Sequence, residues 1–212
     1  MKRYSTIRIF IGALEPGDVG VFIGDGICKE AFLYDRPGNL YLSEYDSMLS
    51  LSLGMAMCTN RRVFIFCNDS YFIRNMSEIA HMAVSRCQNI YLVVMVSGYY
   101  MDIGNLPTIY NSITAPQNVM FNMGFIVHNY TRHFKGLKNP TKEINAIWKK
   151  SKGPLAGVLN IEFGLKKIES NYPSVQESLD AIQTFMTNDS TDAYSYVVPS
   201  NINNMFDENG EE

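Results

Sequence analysis

Two apolar runs, each followed at once by polar turn residues, constrain the fold of this chain more than any other feature. Residues 63–67 lead into Asn-Asp-Ser, and residues 90–96 lead into Ser-Gly-Tyr. Near-continuous apolar runs of this length are typical of strands that are buried on both faces of a parallel sheet. In such open sheets, charged ligands and their metal ions bind at the carboxyl ends of neighbouring strands. The pattern predicts an α/β sheet with a metal and diphosphate site at that edge.

The remaining segments alternate between strand length and helical spacing. Further strands are predicted at residues 19–23, 125–129 and 157–163, each bounded by turn-forming residues. Apolar residues three and four positions apart predict helices between these strands. The predicted helices cover residues 6–14, 47–57, 76–85, 116–123, 141–150 and 175–186. The alternation predicts a three-layer α/β fold, an open parallel sheet with helices on both faces and right-handed crossovers.

The length of the chain and its charge distribution indicate one domain followed by a tail. The chain has 212 residues, which is enough to bury a sizeable core in a single domain. We assign residues 1–187 to this domain. Residues 188–212 form a polar, acidic segment that ends in Asp-Glu-Asn-Gly-Glu-Glu. Such tails are most often solvated, and a docking role is the alternative.

Composition excludes several classes of function. The chain is 46% hydrophobic and 18% charged with a net charge of −3, which gives no support for nucleic-acid binding. The N-terminal residues show neither a signal-peptide pattern nor a membrane span, so we expect no membrane partner. The four cysteines lack paired spacing, which favours buried free thiols over disulfides or a zinc site. These features together predict a cytoplasmic protein.

Six short segments occur in the order of a known set of motifs. They are Ile-Gly-Asp-Gly at 23–26, Lys-Glu-Ala-Phe at 29–32, Leu-Gly-Met-Ala-Met at 53–57, the run at 89–99, Gly-Asn-Leu-Pro-Thr at 104–108 and Ser-Lys-Gly-Pro at 151–154. Over residues 6–186 the chain thus resembles the diphosphate-binding domain of thiamine-diphosphate-dependent enzymes, and most of all the phosphonopyruvate and sulfopyruvate decarboxylases. The resemblance implies the thiamine-diphosphate-binding fold and decarboxylation of a 2-oxo acid.

The resemblance also implies a set of metal ligands. The family binds Mg²⁺ through a Gly-Asp-Gly motif and an Asn that follows about 28 residues later. Here Asp69 stands 28 residues before Ser97, so these two residues occupy the corresponding positions. Asp69, the shorter hydroxyl of Ser97 and the backbone carbonyl of Tyr99 would supply the hard oxygen ligands that Mg²⁺ prefers.

The diphosphate side of the implied site departs from the family pattern. Asn68 and Ser70 replace the two glycines whose backbone N–H groups approach the diphosphate, while Gly98 is kept. Tyr45 occupies the position of the bulky residue that holds the cofactor in its bent reactive shape. Its neighbours Glu44 and Asp46 would place negative charge near a diphosphate, which is costly unless a cation compensates.

A literal Gly-Asp-Gly sequence at residues 24–26 is a competing interpretation of the metal motif. It lies after the first predicted strand, where the family has a different loop. The residue 28 positions after Asp25 is Leu53, which cannot bind a metal. We therefore interpret Asp25 as part of a turn after a strand.

The family chemistry requires a second domain. A glutamate of the pyrimidine-binding domain activates the cofactor, so the resemblance places the catalytic glutamate on a partner chain. An active protein would need a pyrimidine-domain subunit, a homo-oligomer or both. Two interpretations remain open at this point. Asp69, Gly98 and residues 104–108 favour an enzyme subunit, whereas the altered diphosphate side favours a catalytically lapsed homologue with a structural or assembly role.

Overall fold

The computed structural model describes residues 1–43, 47–100, 104–111, 115–133, 138–162 and 171–187. Tyr45 and the tail from residue 188 onward lie outside this part of the chain. The strands are β1 (Val19–Ile23), β2 (Asn39–Leu42), β3 (Val63–Asn68), β4 (Ile90–Val96), β5 (Tyr99–Tyr100), β6 (Leu106–Pro107), β7 (Ile126–Asn129) and β8 (Leu155–Asn160). The α-helices are α1 (Arg3–Ala13), α2 (Asp25–Phe32), α3 (Met48–Met57), α4 (Asp69–Arg74), α5 (Met76–Val84), α6 (Pro116–Met123), α7 (Tyr130–His133), α8 (Pro140–Lys150) and α9 (Val175–Thr187).

Six strands form one parallel sheet in the order β2-β1-β3-β4-β8-β7. Helices α3, α4, α5, α6 and α9 pack on one face of this sheet. Helices α1, α2, α7 and α8 pack on the other face. The predicted three-layer α/β fold is therefore confirmed. No helix of the described part of the chain is both long and apolar enough to cross a membrane.

The two central strands are buried along their whole length. Every residue of β3 and β4 is inaccessible or nearly so, as the continuous apolar runs predict. On one face, the ring of Phe64 stacks against Tyr91 with centroids 4.5 Å apart and lies 4.3 Å from Trp148. Burying the side chain of Phe64 contributes about 1.5–3 kcal/mol relative to exposure. These strands therefore form a packed support for the polar turns that follow their carboxyl ends.

Several elements differ from the sequence prediction. Strand β2 and helices α2, α4 and α7 were not predicted, because four to eight residues are too few to establish a period. The predicted polar connection after β4 contains a short hairpin, in which β5 and β6 pair antiparallel. Strand β8 begins two residues before its predicted start and ends at Asn160. All four cysteines are free thiols, as predicted, but the predicted burial is wrong for Cys58, which is exposed directly after α3, and Cys87 is only half-buried.

The topology brings two polar turns together. Asn68, the last residue of β3, is paired with Met95 near the end of β4. Because both strands run in the same direction, the residues that follow them leave the sheet at the same edge. Strand β1 lies on the other side of β3, so the order of the strands reverses next to this point. Ligands of open α/β sheets bind at such a switch point.

Candidate metal and diphosphate site

The carboxylate of Asp69 is the centre of the polar cluster at this edge. It is fully buried at the start of α4. Its Oδ1 accepts hydrogen bonds from the backbone N–H and the hydroxyl of Ser97, at 3.3 and 3.2 Å. Its Oδ2 accepts from the N–H of Gly98 and the hydroxyl of Thr108, both at 3.0 Å. These four donors come from the segment after β4, so one side chain of α4 holds that segment in place.

The conformation of Gly98 allows this arrangement. Its φ of 79° lies in the left-handed region, which glycine adopts without steric cost. The turn directs the N–H of Gly98 at Asp69. It also leaves the carbonyl of Gly98 to accept a hydrogen bond from the N–H of Thr108, at 2.8 Å. A residue with a side chain at position 98 would strain the contact between the two turns.

The structure brings the three predicted metal-ligand oxygens together. The Oγ of Ser97 lies 3.2 Å from the Oδ1 of Asp69 and 3.1 Å from the carbonyl oxygen of Tyr99. A hydroxyl has one hydrogen, so it cannot donate to both acceptors at once. One carboxylate, one hydroxyl and one carbonyl oxygen form a partial set for a hard cation. Mg²⁺ completes such partial sets with water and with phosphate oxygens. This side of the site fits the ion.

Other side chains would add little to this set. The described residues contain no group of three or more His, Cys, Asp or Glu side chains placed to hold a metal. Burial raises the pKa of the Asp69 carboxyl above its ordinary value, and the hydrogen bonds from Ser97, Thr108 and Gly98 oppose that rise. A divalent cation beside the carboxylate would favour its ionised form.

Thr108 was not predicted as a site residue. Its side chain is 2% exposed, and its hydroxyl reaches Asp69 because the β5–β6 hairpin folds back toward β4. The resemblance of residues 104–108 to a family motif was the signal that could have indicated this role. Beyond the hairpin, the ring of Tyr110 packs on Phe72 of α4 at 5.9 Å. Burial and the nearby charge of Asp69 raise the pKa of Tyr110 to about 12.

The diphosphate side is occupied by hydrogen bonds within the chain. Asn68 is 4% exposed and caps the first turn of α4. Its Oδ1 accepts from the backbone N–H of Tyr71 at 2.7 Å and from the hydroxyl of Ser70 at 2.9 Å. An N-cap side chain normally satisfies such N–H groups when no ligand does. The residues on this side fit a diphosphate only after the Asn68 side chain has moved.

The literal Gly-Asp-Gly sequence has a different environment. Asp25 begins α2, and its carboxylate accepts hydrogen bonds from Lys29 at 2.8 Å and from Tyr172 at 3.0 Å. The pair with Lys29 is solvent exposed. Asp25 is therefore the first residue of a helix, where the sequence predicted a turn, and its carboxylate is engaged by Lys29 and Tyr172.

The fold resembles part of two solved structures. A protein from Mycobacterium smegmatis, assigned as a thiamin diphosphate-dependent enzyme, matches with a TM-score of 0.58 and 14% identity, over 76% of this chain and 32% of that one. Benzoylformate decarboxylase from Polynucleobacter necessarius matches with a TM-score of 0.61 and 14% identity, over 78% of this chain and 34% of that one.

At 14% identity these two matches establish a shared fold. The chain spans about a third of the length of either structural neighbour. No protein-family model and no curated protein sequence matches it. The predicted thiamine-diphosphate-binding fold is thus confirmed as a structural class.

Proposed function

We propose that this chain is the diphosphate-binding subunit of a thiamine-diphosphate-dependent 2-oxo-acid decarboxylase of the phosphonopyruvate or sulfopyruvate type, active with a separate pyrimidine-domain partner. The observation that carries the proposal is the oxygen cluster of Asp69, Ser97 and Tyr99. The cluster lies at the edge of the sheet where such folds bind charged ligands. The fold shared with two thiamin diphosphate enzymes supports the same assignment.

The residues of this chain would bind and orient the cofactor. Asp69, the hydroxyl of Ser97 and the carbonyl of Tyr99 would hold Mg²⁺, and Gly98 and Thr108 would fix the orientation of the Asp69 carboxylate. When bound, thiamine diphosphate supplies an electron sink for decarboxylation. The glutamate that activates the cofactor is expected on the partner.

The hydrogen bonds within the site favour a second function, a structural or assembly role. Asn68 engages Ser70 and Tyr71, and Asp69 accepts four hydrogen bonds, so the site satisfies these side chains without a ligand. A homologue that has lost cofactor binding would be expected to have site side chains that hydrogen-bond to one another in this way. In that case the chain would serve as a structural or assembly component that keeps the sheet and its surfaces.

Isothermal titration of thiamine diphosphate with Mg²⁺ into the purified chain, alone and with any co-purifying partner, separates the two functions. The proposed function predicts binding that is lost in Asp69→Ala and kept in Asp25→Ala, which removes the carboxylate of the literal motif. Circular dichroism of both variants shows whether they are folded. The absence of heat at millimolar cofactor, with and without the partner, would favour the structural role.

A further inference from the structure

Three neighbouring helices on one face of the sheet end in exposed apolar side chains. Helices α3, α5 and α6 each lie between two parallel strands in the sequence, so all three run back along the sheet in the same direction, with α5 in the middle. Their last turns contain Met57, Val84 and Phe121, which are 69, 74 and 69% exposed. These side chains form a row at the edge where the strands begin. Helices on the surface of a soluble protein ordinarily present polar or charged residues to water.

The same three helices are nearly uncharged. They contain no Lys or Arg, and Glu78 is their one carboxylate. Glu78 accepts hydrogen bonds from the backbone N–H and the hydroxyl of Ser50, at 3.0 and 3.1 Å. On the opposite face of the sheet, α1, α2 and α8 each contain two or more charged residues. The outer surface of α3, α5 and α6, here called the α3–α5–α6 face, is therefore both apolar and poor in charge.

Gly54 lies one turn before Met57 on the exposed side of α3. Glycine is among the weakest helix formers, and the backbone at Gly54 is helical. A Cβ at this position would meet no atom of the described chain within 4 Å. The packing of the described chain therefore does not require a glycine here. A second helix crossing α3 at Gly54, in contrast, can approach its backbone closely.

We propose that the α3–α5–α6 face is a contact between two copies of this chain. A two-fold contact places the same surface on both sides, so a charge near the axis faces its own counterpart and repels it. The lack of Lys and Arg in these helices removes that repulsion at neutral pH. The tail at residues 188–212 is a poorer occupant, because it contains six carboxylates and the three helices offer no cation to pair with them.

The size of the face predicts a dimer of moderate affinity. Helices of 8–10 residues are about 12–15 Å long, and three of them packed about 10 Å apart form a surface about 30 Å wide. Such a surface is smaller than the roughly 800 Å² per partner of a standard interface, so we expect dissociation in the micromolar range. The exposed row lies where the strands begin, whereas Asp69 follows the end of β3. The contact therefore leaves the proposed metal site open and does not rest on the proposed function.

Sedimentation velocity of the full chain, from about 1 to about 200 μM, measures the association directly. The average mass should rise with concentration from 24.0 kDa toward twice that value. Val84→Lys and Phe121→Lys add a charge to the face in a last helical turn, where Lys is otherwise favourable, so each should weaken the association at least about tenfold. Ala146→Lys adds the same charge to an exposed position of α8 on the opposite face, and its association should stay within about twofold of the wild type. Circular dichroism shows whether each variant is folded.

Gly54→Gln distinguishes the contact from a purely structural role of α3. Gln is a better helix former than Gly and its side chain enters open space, so the melting temperature of the dilute chain should rise. The same side chain would block a close approach to α3, so the association should weaken at least about fivefold. A purely structural role would raise the melting temperature and leave the association unchanged.

Several results would overturn the proposal. One is a mass that stays at 24.0 kDa at every concentration, and another is association that folded Val84→Lys and Phe121→Lys leave unchanged. A third is association that about 0.5 M NaCl abolishes, because salt screens the pairing of an acidic tail with a basic residue such as the exposed Arg86 beside α5. Association that persists in high salt, and that both Lys variants on the face weaken while Ala146→Lys does not, would support the contact.

Discussion

Thr108 provides a quantitative test of how the site is assembled. Its hydroxyl donates to the Oδ2 of Asp69 at 3.0 Å and is almost completely buried. Thr108→Val preserves the shape of the side chain and removes this donor. Hydrogen bonds to charged groups contribute about 1.5–3 kcal/mol, and Oδ2 keeps its bond from Gly98. We therefore expect the lower part of that range, about 2 kcal/mol.

Urea denaturation followed by circular dichroism measures this loss directly. A change of about 2 kcal/mol corresponds to a fall of about 4–8 °C in the melting temperature of a domain of this size. Thr184→Val is the matched control, because the hydroxyl of Thr184 donates to the carbonyl of Asp180 on the exposed side of α9. The control should change stability by less than about 0.5 kcal/mol. If Thr108→Val also stays below that value, Asp69 does not anchor the hairpin as described.

Two further predictions test the packing of α1, α2 and α7 on their face of the sheet. Arg3 and Glu30 form a buried ion pair at 2.8 Å, so Glu30→Ala should cost about 3–5 kcal/mol in a urea titration, and a double change of both residues to Met should recover most of the loss. A double variant as unstable as the single one would contradict this account. A Cβ added at Gly157 would lie 2.8 Å from Cδ2 of Tyr130 and still closer to its Cε2, so Gly157→Ala should destabilise the chain by about 1–3 kcal/mol. An unchanged unfolding midpoint would show that Tyr130 can move away at little cost.

The parallel sheet could be predicted because the apolar runs of its central strands are compatible with few other folds. Continuous apolar runs such as those of β3 and β4 are stable only when both faces are covered, and this requirement indicates helices above and below. Strand β2 offers four residues, Asn-Leu-Tyr-Leu, and its pairing with β1 depends on tertiary contacts. Short elements of this kind do not carry enough periodicity to be recognised from one sequence.

The candidate site, like the sheet, could be predicted from the sequence only in part. The neighbourhood of Asp69 and Ser97 could be predicted, since parallel strands in register bring the residues after them to one edge. The contact of Thr108 with Asp69 depends on how the hairpin folds back, which the local sequence does not determine. The sequence indicated that Asn68 intrudes on the diphosphate side. Its capping bond to Tyr71 emerged only from the geometry of α4.

The most direct test of the central claim is electron paramagnetic resonance of Mn²⁺, substituted for Mg²⁺, in the presence of thiamine diphosphate. Bound Mn²⁺ loses the signal of the free ion, so the fraction bound can be followed during a titration. The account predicts binding by the wild type that depends on thiamine diphosphate, that is lost in Asp69→Ala and weakened in Ser97→Ala, and that persists in Asp25→Ala. Binding that survives Asp69→Ala, or that Asp25→Ala abolishes, would contradict the assignment of the metal site.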